Sequence, residues 1–247
     1  MRDVTAVGPR SRVRLARLPT AGSPGEGSKD DLHDLKPRLA ALHQRLWETG
    51  GGPVIVLLQG PDTAGKDSVI RHVFAGLIPQ AMQVHAFGVP TPEEASHDFL
   101  WRYHQKLPRT GHIGVLNRTW YESVLVERVD RLAPEAVWQS RYDHINAFEA
   151  MLADSGAHLV KVMLHVSKAE QARRLKARRM TPLKAWKHNP DDLRKHRQYG
   201  AYEEAYDDLL ARCSPRRARW HVVAADHKPS RDLAVARLLA GALEAAA

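Results

Sequence analysis

Cysteine is nearly absent: Cys213 is the one cysteine among 247 residues. A single thiol excludes a disulfide framework within the chain and a cysteine-built zinc cluster, so it reads as a structural thiol. No apolar run approaches membrane-spanning length, and no signal-peptide pattern opens the chain. The Arg-rich start has the charge of a transit peptide, but Asp3 and the lack of a Ser-rich amphipathic pattern argue against one. The expected location is therefore the cytoplasm, with no membrane partner. Internal repeats are missing, and so is any Ser-His-Asp or Cys-His nucleophile arrangement. Acidic residues are outnumbered, 28 Asp and Glu against 37 Lys and Arg, for a net charge of +9 and a pI near 9.8. That surplus favours a polyanionic partner. Charge alone leaves nucleic acid, polyphosphate and an acidic membrane surface open. What the chain does have is apolar content, 43%, ample for a core, in a length that suits one α/β domain with an appended piece.

Residues 1–30 carry Arg, Gly, Pro and Ser with little periodicity and read as a tail or a strap over the domain surface. Residues 31–49 predict an amphipathic helix ended by Gly50-Gly51-Gly52. Strands are expected at 53–59, 83–87, 113–116, 159–164 and 220–224, with helical stretches between them. Thr91-Pro-Glu-Glu94 and Ser167-Lys-Ala-Glu170 have the spacing of capping boxes. Asn189-Pro-Asp-Asp192 marks a further helix start, and Ser230 is placed to cap the last helix. Strands alternating with helices imply a parallel sheet covered on both faces, a three-layer αβα domain over 31–247. The interval 167–215 is too long for one crossover and reads as a basic helical lid.

The strongest chemical signal is Pro53-Val-Ile-Val-Leu-Leu-Gln59 running into Gly60-Pro-Asp-Thr-Ala-Gly65-Lys66-Asp67. A strand, a G-x-x-x-x-G-K loop and a helix in that order form a phosphate-binding P-loop. Gly60 and Gly65 let backbone N–H groups turn toward an anion, so Gly60, Thr63, Ala64, Gly65, Lys66 and Asp67 are the phosphate-binding candidates. Lys66 supplies a point charge, and the next helix adds its N-terminal dipole. Asp62 inside the loop, and Asp67 where Ser or Thr is usual, would repel phosphates unless a cation lay between; Asp62 is the metal candidate. Asp67 can instead cap the helix. The bland alternative is a Gly-rich turn without a ligand.

Three further segments are candidates. In Ile113-Gly-Val-Leu-Asn117-Arg118-Thr-Trp-Tyr121-Glu122 a buried strand ends in polar residues, where ligands of open parallel sheets bind. Arg118 suits bidentate phosphate contact; a plain strand-to-helix turn would look the same. Asp98 and Arg102 share a helical face, either as contacts to an acceptor nucleotide or as a surface ion pair. His104 lacks the partners for a metal site. Arg173, Arg174, Lys176, Arg178, Arg179, Lys184 and Lys187 make the lid strongly cationic, which fits closure over a phosphoryl group or a solvated basic helix.

Taken together, Gly60-Pro-Asp-Thr-Ala-Gly-Lys-Asp67, Asp98-Phe-Leu-Trp-Arg102, Asn117-Arg-Thr-Trp-Tyr-Glu122, Trp186-Lys187 and Ala225-Asp-His-Lys228 resemble the motifs of the polyphosphate kinase 2 family. The resemblance runs from about residue 8 to the C-terminus. Asn at the start of the second motif resembles the branch accepting nucleoside mono- and diphosphates. The resemblance implies a P-loop kinase core with a five-stranded parallel sheet, Mg²⁺ (or Mn²⁺), inorganic polyphosphate as donor, adenine or guanine nucleotides as acceptors, and a dimer or tetramer. It implies catalytic roles for Asp62, Lys66, Arg118, Glu122 and Arg178, phosphate contacts from Arg174, Lys184 and Lys187, and nucleotide contacts from Asp98, Arg102, Asn117, Arg118 and Glu122. Three departures stand out: Ser123 where that branch has Asp, Met180-Thr181 in place of a more acidic pair, and Pro229-Ser230 where an aromatic is usual. Two rival readings remain, an ATP-dependent nucleotide or small-metabolite kinase and a non-catalytic polyanion or nucleic-acid binder; Lys66 and Asp62 argue against the latter.

Overall fold

The computed structural model describes residues 3–22, 27–181 and 191–247. Six strands form one sheet: β1 Val4–Ala6, β2 Val54–Gln59, β3 Met82–Ala86, β4 Ile113–Asn117, β5 His158–His165 and β6 Trp220–Ala224, in the order β1-β6-β5-β2-β4-β3. The last five run parallel, and β1 joins β6 antiparallel. The sheet thus has one strand more than the sequence pattern suggested, contributed by the N-terminal segment. Three residues of polar-flanked sequence carry too little periodicity to announce a strand; pairing with β6 makes it one.

The helices are α1 Lys29–Thr49, α2 Lys66–Val73, α3 Pro92–Ser96, α4 Trp101–His104, α5 Glu122–Val129, α6 Glu135–Asp154, α7 Lys168–Met180, α8 Asp192–Arg197, α9 Tyr199–Arg212 and α10 Lys228–Ala246. Caps explain several boundaries. Ser28 accepts from Asp31 N at the start of α1, Asp31 returns the bond, and Gly50 ends the helix at φ 64°. The Thr91–Glu94 box forms as its spacing predicts. Ser167 caps α7 alone, because the Glu170 carboxylate is held by Arg173 and Arg174 instead. Ser230 does not cap α10. The helix begins two residues earlier, and the Ser230 hydroxyl pairs with His227 Nδ1. The helix start expected at Asn189 lies outside the described residues.

β2 is the hinge of the architecture. Its successive side chains alternate between the two faces. Val54, Val56 and Leu58 pack toward α1, α2 and α10; Ile55 and Leu57 pack toward α5, α6 and α9. All six residues of the strand are buried. The chain leaves β2 toward β3 and β4, then crosses to β5 and β6 on the other side, so β2 is the switch point beside which ligands of such sheets bind. Within the interval expected as a lid, α9 buries Tyr206, Leu209 and Leu210 in the core against α5 and is not part of a cover.

Candidate active site

The C-terminal ends of β2 and β4 are level, with Leu58 opposite Asn117, and Arg118 N extends the ladder to Leu58 O. This alignment brings the Gly60–Asp67 loop and the Asn117–Glu122 turn together. Arg118 takes a left-handed backbone, φ 63°, that swings its side chain back over the sheet edge. Its Nη2 donates to Asp62 Oδ1 at 2.7 Å and its Nη1 to Glu122 Oε2 at 3.3 Å. Asn117 Nδ2 donates to Asp67 Oδ1 at 2.7 Å, tying β4 to the first turn of α2. Lys66 folds over the loop, its Nζ donating to Gly60 O at 2.7 Å and Pro61 O at 3.3 Å.

The electrostatics follow from burial and crowding. Desolvation of the Lys66 ammonium, aided by Arg118, lowers its pKa to about 8, against the pull of Asp62, Glu122 and Asp67. Burial raises Asp62, but Arg118, Lys66, Lys195 and Arg178 together outweigh it and hold the carboxyl below its ordinary range. The Glu122 charge keeps Arg118 protonated throughout. A carboxylate held ionised beside a lysine and an arginine, next to a loop with backbone donors, can bind and neutralise phosphates. The Thr63 hydroxyl is buried with no partner among the described residues, a polar atom left for a ligand.

The loop is held from beneath by residues the sequence motifs did not single out for that role. Arg174 commits all five of its N–H groups: Nε to Glu170, Nη1 to the Thr63 and Ala64 carbonyls, Nη2 to the Ala225 and Asp226 carbonyls. Arg231, fully buried, also donates to Ala64 O, at 3.2 Å, and is held by Asp232. With the Ala64 carbonyl drawn down to two guanidinium groups, the Gly65 N–H of the same trans peptide points the opposite way, toward the anion site. A Cβ on Gly65 would lie 2.0 Å from Arg231 Nη1, so glycine is needed there for space as well as for its φ of 111°.

These contacts place several of the expected site residues. Arg174 is not placed to contact polyphosphate: its donors are taken by the loop and by the turn after β6. Arg102 and Asp98, read as nucleotide contacts or as an ion pair, do not pair with each other and do not line the pocket beside Asp62. Arg102 is buried against Glu94 and the Gly88 carbonyl, and Asp98 accepts from Leu100 N and Trp101 N at the start of α4. Arg178, from the same helix as Arg174, stays at the site, 3.3 Å from Asp192 on α8. Ser123 is buried and donates to Trp120 O, so its hydroxyl closes the first turn of α5. Lys184 and Lys187 lie outside the described residues.

Lys195 on α8, 3.8 Å from Asp62, is a site residue that the motifs passed over; it was hidden within a general run of basic residues. Gln171 was missed too: its amide donates to the Asp62 carbonyl, and His196 meets its other end. Beside Asp62 a pocket opens between the loop, α5 and α9. Tyr199, Tyr202, Glu203 and Tyr206 of α9 face it at i, i+3, i+4, i+7 spacing, with Arg118 and Glu122 opposite. Among the described residues no group of three His, Cys, Asp or Glu is gathered to hold a metal by itself. No described helix is long and apolar enough to cross a membrane.

A family model described as Polyphosphate kinase 2 matches residues 24–247. The chain is 42% identical over 243 residues to the AMP/ADP-polyphosphate phosphotransferase of Meiothermus ruber, covering 96% of this chain and 91% of that protein. It is 39% identical over 254 residues to the ADP-polyphosphate phosphotransferase of Rhodopseudomonas palustris, covering 96% and 88%. A crystal structure of polyphosphate kinase 2 from Arthrobacter aurescens TC1 superposes with a TM-score of 0.90 at 38% identity, covering 98% of this chain and 91% of that one. With the loop and the Asn117–Glu122 turn brought together as the motifs that first suggested it require, the chain belongs to the polyphosphate kinase 2 family.

Proposed function

We propose that this protein transfers a phosphoryl group between inorganic polyphosphate and a nucleotide, AMP or ADP, giving ADP or ATP. The observation that carries this reading is the convergence of Lys66, Arg118 and an ionised Asp62, the last two lining a pocket, within a chain of this family. Phosphoryl transfer needs positioning and charge neutralisation more than covalent chemistry.

In the forward direction the terminal phosphoryl group of polyphosphate lies over the loop. Lys66 turns from the Gly60 carbonyl to its oxygens, and the N–H groups held in place by Arg174 and Arg231 face it. Arg118 exchanges Asp62 for phosphate oxygens in bidentate contact. An oxygen of the nucleotide's terminal phosphate attacks phosphorus in line; the bond to the penultimate phosphate breaks and polyphosphate shortens by one unit. Asp62, relieved of Arg118, would hold Mg²⁺ together with substrate phosphates. One carboxylate plus phosphates is the usual Mg²⁺ donor set, so the lack of a three-carboxylate cluster fits. The ion supplies charge neutralisation between carboxylate and phosphate. Arg178 and Lys195 extend the cationic surface along which the donor lies.

The same reading extends to guanine nucleotides as alternative acceptors, to a cytoplasmic location and to a homo-oligomer. The last is supported by β3, an edge strand of the described sheet, on which Val84 stands 44% exposed. The deciding experiment is incubation of ADP, polyphosphate and Mg²⁺ with purified protein and detection of ATP. Turnover only when ATP replaces polyphosphate as donor would transfer the chain to the ATP-dependent kinases.

A further inference from the structure

The N-terminal segment precedes the residues that the family model matches, 24–247, and is woven into the domain. β1 pairs with β6, Val7 N donates to Trp220 O, and Ser214 Oγ donates to Val7 O. Further along, Asp207 of α9 accepts from Leu15 N at 2.8 Å and from Arg14 Nη1 at 3.3 Å. Asp226 N donates to Thr20 O. Between these fastenings the chain runs across the carboxyl ends of β5 and β6, and Leu15, 1% exposed, forms part of the wall of the pocket beside Asp62.

That pocket has a mixed character. Leu15, Leu125, Val126 and Met163 make an apolar wall, and Tyr202 and Tyr206 add ring surface. The Tyr202 hydroxyl is buried with no partner among the described residues. At its charged side Glu122 and Glu203 face in beside Asp62, Arg118 and Lys195, so the cations there are matched by carboxylates. Polyphosphate is anionic along its whole length and would meet apolar walls and negative charge there. A nucleoside has apolar faces for the wall, N–H groups for carboxylates and polar atoms for a tyrosine hydroxyl.

We propose that the N-terminal strap is a working wall of the acceptor site, and that Leu15 is a specificity-determining residue that packs against the nucleoside while its phosphates lie at Arg118 and Asp62. The proposal rests on the polyphosphate–nucleotide reading above. It adds that the N-terminal segment sets how well the acceptor fits. α9 couples the two parts: Glu203 and Tyr206 face the pocket, and Asp207 on the same helix holds the backbone of Leu15.

The test is steady-state kinetics of the full chain with each substrate varied in turn, for Leu15→Trp, Leu15→Ala and the conservative Leu15→Met. Leu15→Trp fills the pocket and should raise the nucleotide KM tenfold or more while the polyphosphate KM stays within twofold. Leu15→Ala should raise the nucleotide KM several-fold, and Leu15→Met should restore it. An unchanged nucleotide KM in folded Leu15→Trp, or a rise in the polyphosphate KM instead, would overturn the proposal. A measurement on the unaltered protein guards against variants that do not fold. AMP should slow amide hydrogen exchange across residues 15–18 more than polyphosphate does, and equal protection by both, or none by AMP, would overturn the proposal. Failure of the underlying reading shows differently, as a wild-type protein that makes no product from polyphosphate and any nucleotide.

Discussion

Arg118 Nη2 donates to Asp62 Oδ1 at 2.7 Å, joining across the pocket lining two residues 56 positions apart. Each neutralises the other while the site awaits phosphate. Asp62→Asn removes that partner and the candidate metal carboxylate together. Turnover should fall by two orders of magnitude or more, and the residual activity should need a much higher Mg²⁺ concentration. Wild-type activity at unchanged Mg²⁺ dependence would reduce Asp62 to a structural role.

Lys66 carries a pH prediction. Its ammonium is lowered to about 8 from an ordinary 10.5, first by burial and then by Arg118. Below pH 8 the free enzyme holds it charged; above, it is neutral and cannot attract the donor. The value of kcat/KM for polyphosphate, which reports the free enzyme, should therefore fall with an alkaline limb near pH 8. Bound phosphates favour the charged form, so the kcat profile should hold to higher pH. A kcat/KM profile flat to pH 10 would sink this account. Lys66→Ala should lower turnover by about 10²–10³-fold in a folded protein.

The lid arginine tests the identity of the donor. Arg178→Ala should raise the polyphosphate KM by about tenfold or more, the worth of one charged contact, with little change in nucleotide affinity. The loss should shrink at higher ionic strength, because each phosphate contact releases counterions. If kinetics at two salt concentrations showed only the nucleotide weakened, Arg178 would belong to the acceptor.

The clamp beneath the loop should be a stability element as well as a catalytic one. Arg174→Ala strips the guanidinium from the Thr63, Ala225 and Asp226 carbonyls, while Ala64 O keeps Arg231 and Glu170 keeps Arg173, so thermal or urea unfolding should register a loss of about 2–4 kcal/mol. Gly65→Ala forces a Cβ into Arg231 at a left-handed backbone and should abolish turnover by displacing the loop. A Gly65→Ala protein with native kcat would show that the loop geometry tolerates movement.

Behind the Asn117–Glu122 turn lies a buried ion pair, Lys161 Nζ to Glu149 Oε2 at 2.7 Å. Glu149 Oε1 also accepts from Trp120 Nε1 and the Tyr121 hydroxyl, and Lys161 reaches the Tyr121 hydroxyl and Cys213 O. Glu149→Gln leaves a buried ammonium poorly matched and should destabilise by about 3–5 kcal/mol, whereas the joint change Glu149→Leu with Lys161→Met should recover much of that loss. Equal losses in the single and double variants, measured by unfolding, would show that the pair does not act as a unit.

The sequence by itself determined the elements whose signals are local. Most of the parallel strands are short, mainly apolar runs bounded by turn residues, the Thr91 cap acts within three residues, and the phosphate loop is contiguous from Gly60 to Asp67. Each needs only its own neighbours to form, so a linear reading reaches it. Only the tertiary structure decided the partners of long side chains and of the weakly patterned N-terminus. Arg174 and Arg178 are identical in type and four residues apart on one helix, yet Arg174 is drawn under the loop by carbonyls from residues 63, 64, 225 and 226, while Arg178 reaches Asp192. Arg102 and Asp98 had the spacing of an ion pair and took other partners for the same reason. Val4–Ala6 becomes a strand, and Leu15 a pocket wall, through β6 and Asp207, more than 190 residues away. Periodicity says which way a side chain faces along its own element; what waits there is set by packing between elements far apart in the chain.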